Sequence, residues 1–129
     1  DYSGVSVSLS SDGRSVAIGA RGNDGNGNDS GHVRIYRWLD SISPASWEQM
    51  GGDIDGEASG DYSGVSVSLS SDGRSVAIGA RGNDGNGNDS GHVRIYRWLD
   101  SISPASWEQM GGDIDGEALD DDSGSSVSL

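Results

Sequence analysis

Apolar and polar residues alternate along Val5-Ser6-Val7-Ser8-Leu9, which places Val, Val and Leu on one side of an extended chain and Ser on the other. This pattern predicts a β-strand. In the following Ser10-Ser11-Asp12-Gly13-Arg14, the Asp-Gly pair predicts a tight hairpin turn, because glycine takes a positive φ without steric cost. Residues 15–20 alternate again, with Val16, Ile18 and Ala20 on one face and Ser15, Ala17 and Gly19 on the other. The second face is nearly flat, so large side chains of a neighbouring sheet can seat on it. Residues 21–31 carry no apolar side chain and are dense in Gly, Asn and Asp, the composition of a surface loop. A third strand is predicted over residues 32–38, with Val33 and Ile35 inward and Arg34, Tyr36 and Trp38 on the opposite face. Pro44 interrupts the connector after it, since proline ends regular pairing. Residues 47–50 are predicted as a short fourth strand, and residues 51–60 as a link to the next segment.

That next segment is the same unit. Residues 61–118 reproduce residues 1–58 letter for letter, and residues 121–129 open the unit again. No stretch of ten or more residues shows helical periodicity. Four short antiparallel strands per unit predict an all-β chain of tandem propeller-type blades: 1–60, 61–120, and 121–129 as the first strand of a third. A β-sandwich also uses short alternating strands, but it does not repeat one sheet. Propellers close with roughly four to eight blades, so closure is not expected within this chain. The expected partners are copies of itself, in a ring or a fibre, or further repeats of a longer chain.

Charge narrows the partners further. Twenty-one acidic residues against eight Arg and no Lys give a net charge of -13, which argues against nucleic acid, whose phosphates need clustered cations. Acidic loops suit a solvated surface or uptake of a divalent cation. No run of apolar residues is long enough to insert in a membrane, and no signal peptide or transit segment is evident. Cysteine is absent, so no disulfide forms. Only 32% of residues are hydrophobic and Phe is missing, so a lone unit has little apolar area to set against the entropy of ordering its backbone.

Tyr2-Ser3-Gly4-Val5-Ser6-Val7, Ile18-Gly19-Ala20-Arg21 and Gly31-His32-Val33-Arg34-Ile35-Tyr36 together resemble the FG-GAP repeat, the blade unit of the integrin α-chain propeller and of many extracellular and bacterial surface proteins. In that family the corresponding motifs are Phe-Gly before a valine-rich strand, Gly-Ala-Pro, and Gly-x-Val-x-Val-Tyr. The resemblance implies propeller blades, an extracellular or cell-surface location, and a structural or adhesive role. Arg21 and Arg81 stand where the family has proline. Metal-binding members carry Asp-x-Asp-x-Asp-Gly between the first two strands, whereas Ser11-Asp12-Gly13 is too short to wrap a cation, so that calcium site is not carried over.

Two other loops offer oxygen ligands at alternate positions, the arrangement calcium favours. The first holds Asp53, Asp55, Glu57 and Asp61, repeated as Asp113, Asp115, Glu117 and Asp121. Ala58 stands where an EF-hand type of loop needs glycine, so a plain acidic linker explains the same residues. In the second, Asp24, Asn26, Asn28 and Asp29 and their copies also suit turn chemistry. Asn28-Asp29-Ser30 and Asn88-Asp89-Ser90 are N-glycosylation sequons. His32 and His92 are single imidazoles at strand starts and are expected to be structural. Tyr36, Trp38 and Trp47 suit either packing between sheets or stacking on sugars. No Gly-x-Ser-x-Gly turn and no Ser-His-Asp set emerges, so no catalysis is expected. The expected function is a non-enzymatic structural or adhesive repeat protein that assembles blade to blade. The alternative is a calcium-dependent module that binds cell-surface proteins or glycans.

Overall fold

A computed structural model describes residues 1–129, and it contains strands and no helix. In the first sheet β1 (Ser3–Leu9), β2 (Ser15–Ala20), β3 (His32–Leu39) and β4 (Ser46–Gln49) pair in that order, all antiparallel. The second sheet repeats it with β6 (Ser66–Leu69), β7 (Ser75–Ala80), β8 (His92–Leu99) and β9 (Ser106–Gln109). Neither sheet closes on itself. The alternating segments, the Asp-Gly turns and the polar loops therefore fall where the residue pattern predicts. Gly13 takes φ +71° in the turn between β1 and β2.

Residues 51–60 do more than link. Ile54–Asp55 form β5 and Ile114–Asp115 form β10, pairing with the starts of β3 and β8 while β4 and β9 pair with their ends. Two residues are too few to show a period, so the element is silent in the sequence. In the first blade Ile54 lies opposite Val33 and is buried, while its copy Ile114 makes the same pairing with Val93 although it is exposed.

Each sheet is apolar on both sides. Residues directly opposite in an antiparallel pair share a face, so the pairings Val7↔Ile18, Leu9↔Val16, Val16↔Tyr36 and Trp38↔Trp47 define one broad face. The pairings Ala17↔Ile35 and Val33↔Ile54 define the other. The single core lies between the sheets. Ala17, Val33, Ile35, Met50 and Ile54 from the second face of the first sheet meet Val67, Leu69, Val76, Ile78 and Trp98 from the first face of the second.

The small residues of the flat face let the backbones come close. The Ser6 hydroxyl donates to the Gly64 carbonyl at 2.7 Å, and the Leu69 N–H donates to the Ser8 hydroxyl at 2.9 Å. At Gly19 an added Cβ would overlap the Gly64 carbonyl oxygen, so only glycine fits. Residues 120–129 dock on the second sheet by the same contacts. Ser66 donates to the Gly124 carbonyl at 2.8 Å and the Leu129 N–H donates to Ser68 at 2.9 Å. One step of the repeat is thus made twice, with Asp122 and Ser125 standing where Tyr62 and Val65 stand one unit earlier.

Candidate functional site

At the edge where one blade passes to the next, β5 and the residues after it bring acids towards the starts of β3 and β8. Strand alternation turns Ile54 into the core and leaves Asp53 and Asp55 outward, beside His32 at the head of β3. Nδ1 of His32 lies 3.7 Å from Asp53 Oδ2. Asp53 also accepts Arg34 Nε at 3.0 Å and Gln49 Nε2 at 2.7 Å. These two partners, Arg34 foremost, hold the Asp53 carboxyl below the usual 3.8. Burial is the main reason that His32 titrates below the usual 6.5, with Arg34 adding to it and Asp53 and Asp55 opposing.

The equivalent site in the second blade is built from both repeats. His92 at the head of β8 is fully buried, and Glu57 reaches it from the first repeat while Asp113 and Asp115 reach it from its own. Asp61, also buried, accepts the Ala58 N–H at 3.1 Å and Asn83 Nδ2 at 3.0 Å, and so ties the link to the next loop. Arg94, which matches Arg34, turns the other way. It donates to the Asp55 carbonyl and to the Tyr96 hydroxyl, each at 2.9 Å, beneath the first blade. Burial pushes the Tyr96 phenol above its usual 10.0.

The acids of the first loop are therefore shared out. Asp53 and Asp55 face one histidine, and Glu57 and Asp61 face the next. Asp113 and Asp115 join His92, whereas Glu117 is exposed and Asp121 accepts the Glu117 and Ala118 N–H groups. The two histidines are what residue reading left apart from these acids. Their companions arrive through strand pairing and from the adjoining repeat, which local spacing does not reveal.

The other loop spends its side chains on backbone. Asp24 Oδ1 accepts the Asp29 N–H at 2.9 Å, and Asn26 Nδ2 donates to the carbonyls of Gly56 and Glu57 at 2.8 and 3.1 Å. Asn28 and Asn88 are exposed, while Ser30 and Ser90 of their sequons are buried. Between β1 and β2, Asp12 accepts the Arg14 N–H at 2.9 Å and the Ser10 hydroxyl at 2.8 Å, which lowers its pKa and makes it a turn residue. The aromatics of the second blade pack between sheets. Trp98 is buried, and Trp107 Nε1 donates to the Met50 carbonyl at 3.0 Å. In the first blade Leu9, Val16, Ile18, Tyr36 and Trp47 line an open groove of about 390 Å³ with no polar residue in its lining.

Residues 54–96 match the family model described as the FG-GAP repeat. The matched span runs from β5 into β8 and so includes Glu57, Asp61 and His92. Its portion from residue 61 onward recurs unchanged as residues 1–36. No curated protein matches the chain. No helix is long and apolar enough to cross a membrane.

Proposed function

We propose, from the FG-GAP match and the two open sheets, that the chain is a non-enzymatic structural or adhesive module that works by joining blades at or outside the cell surface. Its partners are further copies of itself or further repeats of a longer chain. One observation carries this reading. Val7 and Leu9 are 63% and 61% exposed on the first blade, while the identical Val67 and Leu69 of the second are 8% and 5% exposed, covered by the first. At the other end Met110 and Ile114 are 45% and 56% exposed, whereas Met50 and Ile54 are each 7% exposed. Each open face thus has its mate displayed at the opposite end of the same molecule. A head-to-tail contact of this kind generates a ring or a filament. Adjoining apolar side chains left in water favour such burial by roughly 25 cal/mol per Å² covered.

A second reading is a calcium-dependent module for cell-surface proteins or glycans, with Tyr36 and Trp47 as sugar platforms. The apolar lining of their groove favours a sheet over a sugar, whose hydroxyls need polar partners. In this setting Asn28 and Asn88 are the rim positions for glycans, which an intact-mass measurement of the secreted protein would detect.

Sedimentation velocity over a concentration series tests the joining of blades. The wild-type chain should form larger species, and Leu9→Asp should remain a folded monomer. A wild type that stays monomeric throughout, or a Leu9→Asp chain that associates equally well, would sink the proposal.

A further inference from the structure

Three carboxylates converge on one ring nitrogen at the seam between the blades. Nδ1 of His92 lies 3.7 Å from Glu57 Oε1, 3.6 Å from Asp113 Oδ2 and 3.8 Å from Asp115 Oδ1. The His92 side chain is 0% exposed, yet neither ring nitrogen has a hydrogen-bond partner. Leaving a buried polar atom unsatisfied costs about 1–3 kcal/mol, so an imidazole sealed in this position calls for a partner the chain does not supply. The three separations are too long for hydrogen bonds. Each comes close to the edge of a coordination shell, where ligand atoms about 2.0–2.2 Å from a tetrahedral ion lie about 3.3–3.6 Å apart. The acids fall into two sets that share His92, Glu57 with Asp61 and Asp113 with Asp115, and only the first joins the two repeats.

We propose that His92, Glu57 and Asp61, whose ligand atoms all lie within 4.8 Å of one another, form a site for a divalent cation of the zinc class, bridging the two repeats. The imidazole nitrogen sets that class. Calcium takes oxygen ligands, whereas zinc accepts nitrogen and carboxylate together. The supporting contacts orient both carboxylates, since Asn83 Nδ2 donates to Asp61 at 3.0 Å and to Glu57 at 3.4 Å. Arg94, the buried cation beside them, is directed to the Asp55 carbonyl, Ser63 and Tyr96 and leaves these carboxylates unpaired. The first blade supplies an internal control. There His32 meets Asp53 and Asp55 without a third acid, and Arg34 has already claimed Asp53. All three proposed ligands lie in one chain, so the site does not depend on association between molecules.

Isothermal titration of the metal-free chain with zinc chloride, with and without excess calcium chloride, tests this. Wild type should bind zinc in the presence of calcium and melt at a higher temperature when loaded. Glu57→Gln, at a half-exposed side chain, should keep the fold and lose at least about tenfold in zinc affinity. His92→Ala should remove the site, and His32→Ala should leave it unchanged. Zinc affinity that is unaltered by Glu57→Gln and His92→Ala, displacement by equimolar calcium, or no binding at all would overturn the assignment. Each of these readouts is independent of whether Leu9→Asp changes the state of association.

Discussion

Identical residues in unlike surroundings give this chain its own controls at the residue scale. Gly19 and Gly79 occupy the same place in their strands, and a Cβ on either would overlap a carbonyl oxygen, that of Gly64 or of Gly124. Gly64 belongs to a complete blade and Gly124 only to the terminal segment, which forms no strand, so Gly19→Ala should cost about 1–3 kcal/mol in urea unfolding and Gly79→Ala less. Equal losses would show that the two junctions carry equal weight. Titration gives a second contrast. His32 has its pKa lowered by burial, so the stability it contributes is complete above 6.5 and is lost as pH falls through the folded-state value. Asp53, held down mainly by Arg34, contributes fully above 3.8 and loses its contribution only as pH falls further. Denaturation midpoints should therefore decline in two stages on acidification. His32→Gln should flatten the upper stage and Asp53→Asn should shrink the lower. A wild-type midpoint that stays level between about pH 7 and 5 would contradict the first assignment.

At the scale of the element, the fourth strand shows how a neighbour decides what a strand is worth. Trp38 and Trp47 pack edge to face at 5.5 Å, and Trp98 and Trp107 lie 5.3 Å apart in nearly the same way. Only Trp107 finds a partner on the adjoining blade, the Met50 carbonyl. Trp107→Phe should thus cost about 1 kcal/mol more than Trp47→Phe, as read from thermal or urea unfolding; equal costs would remove that bond from the account. The strands were legible in the sequence because Val5 to Leu9 and Ser15 to Ala20 alternate cleanly, and the flat face of β2 announced close packing. β5 was not legible, because a two-residue strand has no period and its place is set by Val33 across the sheet. The candidate site was half legible. The acids stand out at alternate positions as one loop, whereas pairing of β5 to β3 keeps Asp53 and Asp55 at His32 and the residues beyond β5 carry Glu57 and Asp61 to His92. A histidine with no local companion reads as structural, and only tertiary placement puts three carboxylates around it.

The whole molecule consists of two equivalent sheets and the start of another, related by one repeated step. Ser6 to Gly64 and Ser66 to Gly124 are the same bond one unit apart, as are Leu69 to Ser8 and Leu129 to Ser68. That recurrence ties the letter-for-letter repeat to a geometry able to continue, and it is why the core sits between sheets. The two broad ends of the molecule are nevertheless different, since one presents Val7 and Leu9 and the other presents Met110 and Ile114. Such a body has an arrow. On the proposed head-to-tail joining, a copy blunted at its leading side would still be received by its trailing side and act as a terminator, so a small dose of it should limit length in one direction while leaving the opposite direction free to grow.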